Sequence, residues 1–115
     1  LKRGGRLSPM KAMIGTILNM KPILCVKDGV VEPLDKVRGR KKVFSRLIEL
    51  TKEAGADFSS QTIAVAHASV PDVAAEFANE VKKELNPKEV LITEIGSVIG
   101  THVGPGAIGI FFRGK

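Results

Sequence analysis

The chain has no tryptophan, no tyrosine and a single cysteine among its 115 residues. Each scarcity closes off a class of chemistry. One cysteine cannot form an internal disulfide, and Cys25 sits in the apolar run Ile23-Leu24-Cys25-Val26, where it reads as a small packed side chain. That usage fits a reducing compartment, and the expected location is the cytoplasm. Nucleic-acid binding wants basic clusters interleaved with aromatics for stacking, but the five phenylalanines lie in apolar runs, apart from Phe58. No nucleic-acid partner is expected. No run approaches the roughly 20 apolar residues of a membrane span, and no signal-peptide pattern is recognised. The only histidines, His67 and His102, form no metal-binding spacing, so neither a metal nor another cofactor is expected.

What is present is the balance of an ordinary globular domain, 43% hydrophobic and 26% charged. A length of 115 residues suits one domain. The chain opens on Leu1 and not on methionine, and the expectation is a single domain, 1–115, cut from a longer protein. Eighteen basic residues against twelve acidic ones give a net charge of +6. The positive charge gathers at Lys2, Arg3 and Arg6 and again at Lys36, Arg38, Arg40, Lys41, Lys42 and Arg46. A solvated terminus and a solvated helix start would account for both clusters; so would a docking surface for an acidic partner.

The pattern along the chain alternates strands with helices. Ser8-Pro9 pairs a hydroxyl N-cap with proline at the first helical position, and Met10, Met13, Ile14, Ile17 and Leu18 follow at helical spacing, predicting a helix that ends near Asn19. Gly15 within it implies a close neighbour. Ile23 to Lys27 reads as a strand, Asp28-Gly29 as a hairpin turn, and Val30 to Arg38 as the return strand, with Pro33 placing it at an edge. Arg40 to Ala54 is an amphipathic helix with Val43, Phe44, Leu47, Ile48, Thr51 and Ala54 inward. Thr62 to Ala66, the helix opened by Pro71-Asp72 and stopped by Asn86-Pro87, and Glu89 to Ile95 form a strand-helix-strand unit with parallel strands. Ala107 to Arg113 is the last strand. The fold class is α/β: two layers, a mixed sheet of about five strands with helices packed on it.

The run from Gly96 to Gly106 carries the most unusual composition. Four glycines in eleven uncharged positions, each weakening regular structure by roughly 0.5–1 kcal/mol relative to alanine, imply sharp turning or close approach to another group. His102 lies in this run, where its ring could donate to an anion or cap a strand. Gly104-Pro105-Gly106-Ala107-Ile108-Gly109 matches a dinucleotide fingerprint in letters only, because a strand follows it where a helix is required. Ser69 with His67, or Ser97 with His102, lack the surroundings of a hydrolase nucleophile, and His67 reads as a structural residue at a strand end. No enzymatic activity is expected. An apolar helix (Met13, Ile14, Ile17 and Leu18), a nearby apolar strand pair and one polar ring at His102 suit an amphiphile with one anionic end. Burying fourteen methylenes would supply on the order of 11 kcal/mol before torsional costs. The same residues would also serve as plain core.

Gly4-Gly5-Arg6-Leu7-Ser8, the stretch Ile14 to Leu24, Lys36-Val37-Arg38, and Gly100-Thr101-His102-Val103-Gly104-Pro105-Gly106-Ala107 occur in this order and at suitable intervals. Together they resemble the C-terminal domain of the DegV family of bacterial fatty-acid-binding proteins. The resemblance implies the lipid-binding half of a two-domain protein, which encloses one long-chain fatty acid against an N-terminal domain. It implies a carrier that presents the carboxylate to a fatty acid kinase for phospholipid synthesis. His102 would contact the carboxylate, with Thr101 beside it, and Arg6 and Arg38 would dock the kinase. Met13, Ile14, Ile17 and Leu18 are the candidates for lining the acyl tunnel. The alternative is an interaction domain whose basic face docks an acidic partner with no lipid bound by this portion.

Overall fold

The computed structural model describes residues 10–17, 22–27, 30–94 and 106–114. Among them run β1 (Met10–Thr16), β2 (Pro22–Lys27), β3 (Val30–Lys36), α1 (Arg40–Ala54), β4 (Thr62–His67), α2 (Pro71–Leu85), β5 (Glu89–Glu94) and β6 (Ala107–Arg113). The six strands form one mixed sheet in the order β3-β2-β1-β6-β4-β5. Only β4 and β5 are parallel, and α2 makes the crossover between them. The two-layer α/β architecture is as expected, with six strands where about five were anticipated.

The additional strand is β1, and it replaces the predicted helix. Met10–Thr16 pairs antiparallel with β2 on one side and, over all seven residues, with β6 on the other. A strand in the middle of a sheet with apolar groups on both faces shows no alternation, so its run of apolar residues fits a helical template by coincidence. The β-branched residues Ile14, Thr16 and Ile17 favour the extended form, and pairing on two edges outweighs the weak helical propensity. Ser8 and Pro9, the expected helix start, lie outside the described residues, as does Leu18.

The close neighbour expected at Gly15 exists, but it belongs to α1. A Cβ there would stand 2.9 Å from Val43 Cγ1 and 3.7 Å from Leu47 Cδ1. Gly15 is the notch into which the first helix settles.

Both helices match their expected spans because their patterns are unambiguous. Val43, Phe44, Leu47, Ile48 and Thr51 of α1 are buried, as are Val73, Phe77, Val81 and Leu85 of α2. Asn86 ends α2 in the left-handed conformation, its N–H donating to Lys82 O at 3.1 Å. The helices meet through Phe44 and Phe77, whose ring centroids are 4.9 Å apart. Beneath them Met13, Ile63, Val65, Ile108, Ile110 and Phe112 complete the main core. The return strand β3 lies at the sheet edge as Pro33 predicts, and the turn residues 28–29 fall outside the described residues.

Gly15→Ala separates strand from helix by sign. In a helix the change would stabilise by about 1 kcal/mol. Against Val43 it should instead destabilise by about 1–3 kcal/mol, read as a lower denaturation midpoint of the protein carrying this chain.

Candidate functional site

Because successive strand residues point to opposite faces, β1 divides the predicted lining residues between two environments. Met13 is buried in the main core under the helices, and Ile17 packs against the same cluster. Ile14 faces the other way, into a second cluster with Ala68 and Ala107, against which Leu24 and Val26 pack. All four were expected to share one helical stripe; the strand places Met13 and Ile17 on one side and Ile14 on the other, and Leu18 lies outside the described residues.

The face that Ile14 occupies carries no helix among the described residues, and the register shows its composition. One row across the sheet reads Val31, Val26, Ala12, Phe111, Ala64 and Leu91. The next reads Pro33, Leu24, Ile14, Gly109, Ala66 and Thr93. No charge appears in either row, and Thr93 is the single polar side chain. A sheet face meant for water alternates polar residues outward, and this one does not. The residues near its centre are small: Ala12 and Ala66 are each 3% exposed, with Gly109 between Ile14 and Ala66 in the register. Bulky Phe111 and Leu91 stand to one end. The result is a shallow apolar floor, low along β6 and β4.

The residue pattern announced this face, though the sequence reading passed over it. In Ile63-Ala64-Val65-Ala66 large and small apolar residues alternate, and Ile108-Gly109-Ile110 repeats the arrangement. The large members enter the core and the small ones form the second face.

One end of the floor is tied by a compact set of backbone bonds. Gly106 N–H donates to Ala68 O at 2.9 Å, Ala68 N–H to Ala107 O at 3.0 Å, and Ile17 N–H to Gly106 O at 3.1 Å. Gly106 has φ +86°, a conformation that favours glycine. β5 ends at Glu94 and β6 starts at Ala107, on either side of the C-terminal end of β4. The segment joining them contains Thr101 and His102, which lie outside the described residues, as does Arg6. Its two anchors stand at the end of the sheet where Ile17 also sits.

His67 closes β4 and is buried, its Nδ1 accepting the Val70 N–H at 3.2 Å. This is the structural role expected of it. Ser69, its imagined catalytic partner, is exposed in the left-handed region at φ +65° and makes no hydrogen bond with His67. The residues after Gly106 form a strand, as required by the rejection of a dinucleotide loop.

A groove of about 700 Å³ lies elsewhere, between the solvent sides of α1 and α2. Phe44 and Ile48 floor it, but Lys41, Glu49, Lys52, Glu76, Glu80 and Glu84 wall it. Its four carboxylates are all paired: Glu76 with Arg40 at 2.9 Å, Glu84 with Lys52 at 3.2 Å, Glu80 with Lys83 at 3.5 Å, and Glu49 with Arg46. A charged, open groove of this kind suits neither an acyl chain nor a buried reaction. Nearby, Arg46 bonds to Glu49 and Asp35, which raise its pKa still further, while Lys36, Arg38, Lys41 and Lys42 are exposed and make no ion pair with the described residues.

A family model described as "Uncharacterised protein, DegV family" matches residues 1–115. The chain belongs to the DegV family. It is 40% identical over 115 residues to a DegV domain-containing protein of Caldanaerobacter subterraneus, covering all of this chain and 41% of the relative. It is 42% identical over 110 residues to protein DegV of Bacillus subtilis, covering 96% and 39%. The chain thus spans about two fifths of the length of the curated relatives it matches. Among solved structures, DegV from Bacillus subtilis, described as a fatty acid binding protein, superposes with TM-score 0.70 at 30% identity, over 96% of this chain and 46% of that one. A DegV lipid binding protein from Thermotoga maritima gives 0.73 at 28% identity, over 92% and 44%. A fatty acid binding DegV family protein from Streptococcus agalactiae gives 0.75 at 26%, over 92% and 45%. The mixed sheet with its helices on one face is therefore a DegV architecture. Among the described residues no helix is long and apolar enough to cross a membrane.

Proposed function

We propose that this DegV domain supplies one wall of a fatty-acid site and that the carrier containing it presents the bound carboxylate to a fatty acid kinase. The observation that carries the reading is the uncharged part of the second sheet face, the two rows through Ala12 and Ile14, which give way to Arg113 and Glu89 in the row beyond. Such a face must be covered by apolar matter, and fatty acids are what the solved DegV proteins of Bacillus subtilis and Streptococcus agalactiae are described as binding.

In this reading the acyl chain lies against Ile14, Leu24, Val26, Ala64 and Gly109, where small side chains leave room for it. Met13 and Ile17 support the floor from the core side without touching lipid. That revises the lining anticipated from the sequence, which took Met13, Ile14, Ile17 and Leu18 together. His102, with Thr101, donates to the carboxylate at the end marked by Gly106 and Ile17. The long connection between β5 and β6 starts and returns there, which supports the assignment of the head group to that end. The protein acts as a carrier and not as an enzyme, and the rest of the site comes from an N-terminal domain.

Arg6 and Arg38 dock the kinase. Arg38 stands exposed at the entrance to α1, in the basic group with Lys36, Lys41 and Lys42. That same group favours the second reading, an interaction domain whose basic face binds an acidic partner with no lipid involved.

Three measurements on the full-length protein test these readings. Native mass spectrometry of His102→Ala should show fatty acid occupancy reduced by about tenfold, the worth of one charge-assisted hydrogen bond; undiminished occupancy and unchanged kinase turnover would remove His102 from the role. Ala64→Phe places a ring on the half-buried floor and should lower occupancy while leaving the fold intact by circular dichroism. Arg38→Glu with Arg6→Glu should retain the lipid and lose kinase coupling. An acidic partner whose binding is lost in a protein that never carried lipid would favour the second reading.

A further inference from the structure

Three groups outside the proposed contacts repay scrutiny: the charged groove between the helices, the exposed apolar pair Leu91 and Ile92 on edge strand β5, and the buried imidazole of His67. The groove's carboxylates are already paired with cations, and nothing in the structure shows what covers β5. His67 has consequences beyond its own strand.

We propose that His67 is a positioning residue for the head-group end of the site, acting through the turn that follows β4. The inference deepens the fatty-acid reading and rests on it. The chain of contacts is short. His67 Nδ1 accepts the Val70 N–H at 3.2 Å, which closes a tight turn over Ala68 and Ser69. Ser69 takes φ +65°, a conformation that a non-glycine residue adopts only when its surroundings hold it there. Within that turn Ala68 uses both backbone groups on the start of β6, its C=O accepting from Gly106 and its N–H donating to Ala107. Gly106 in turn accepts the Ile17 N–H at the end of β1. One side-chain acceptor is thus connected to the ends of β4 and β1 and to the start of β6, and Gly106 lies four residues after His102 in sequence.

A merely structural histidine would lower stability when replaced and leave ligand kinetics alone. A positioning histidine loosens Gly106 and Ile17 specifically. The test compares His67→Leu, which removes the acceptor, with His67→Asn, whose amide oxygen can stand where Nδ1 stands. Val81→Ala, a core truncation in α2, serves as a stability control. In the full-length protein, amide hydrogen exchange is followed at Val70, Gly106 and Ile17, and release of the fluorescent fatty acid cis-parinaric acid is followed by stopped flow.

His67→Leu should accelerate exchange at all three amides and speed probe release by about tenfold, as loss of one buried hydrogen bond predicts. His67→Asn should hold both within about threefold of the parent protein, in keeping with a retained acceptor. Val81→Ala should lower the unfolding midpoint without changing release. Unchanged exchange at Gly106 and Ile17 in His67→Leu overturns the proposal, as does release from Val81→Ala as fast as from His67→Leu. If His67→Leu does not fold, fast exchange at Gly106 in His67→Asn overturns it equally. A parent protein that takes up no probe, with exchange still rising in His67→Leu, would sink the fatty-acid reading and leave the control of Gly106 and Ile17 by His67 standing.

Discussion

Two helices cannot cover both sides of a six-stranded sheet, and the rest of this domain follows from that shortage. α1 and α2 lie on one face and bury Met13, Ile63, Val65, Ile108, Ile110 and Phe112. Their seating depends on the absent side chain of Gly15, where Val43 and Leu47 close down on the sheet. Among the described residues the opposite face carries no helix. In a self-sufficient two-layer domain that face would be polar. Here its two uncharged rows hold alanine, valine, leucine, isoleucine, glycine, proline and phenylalanine with one threonine, a composition that calls for a second layer α1 and α2 do not provide.

The division of labour between the faces also separates stability from function. Large side chains of β4 and β6 enter the core, where close packing leaves no latitude for change. Small ones form the other surface, and in the proposed reading enlargement at half-buried Ala64 would tell on occupancy before stability. The basic group around Arg38 stands apart from both, on the solvent side of the β3-α1 connection. An acyl site and a docking site on this domain would thus be separable by substitution, because they share no side chain.

Legibility in the sequence followed the ratio of signal to alternatives. The helices at Arg40–Ala54 and Pro71–Leu85 were readable because their apolar spacing has one interpretation and Gly55, Pro71 and Asn86 punctuate it. β6 was readable because a short apolar run after glycines leaves room for nothing else. β1 was misread because an interior strand carries apolar residues on both faces, and Met10, Met13, Ile14 and Ile17 happen to fall at helical intervals. Its β-branched residues and mid-run Gly15 were the available warning. The lining inherited that error: a helix gathers i and i+4, whereas a strand sends neighbours to opposite faces, so Met13 and Ile14 could not serve one cavity. The motifs around Lys36-Val37-Arg38 and Gly100 to Ala107 carried the family without any help from secondary structure. His67 was read correctly as structural, but nothing in its spacing shows that Ala68 links the turn to Gly106.

The sheet order has a consequence for how the polypeptide reaches this shape. β1 and β6 are the first and last strands in sequence and adjacent in the middle of the sheet, with Met10 opposite Arg113. During synthesis β2 and β3 can form a hairpin beside β1 early, and β4, α2 and β5 can assemble as a unit of their own. Neither group can join the other until β6 has been synthesised, since β6 lies between β1 and β4. Contacts this distant along the chain are slow to find one another. Until they do, each group keeps an unpaired strand edge open, the condition under which partly folded chains associate wrongly.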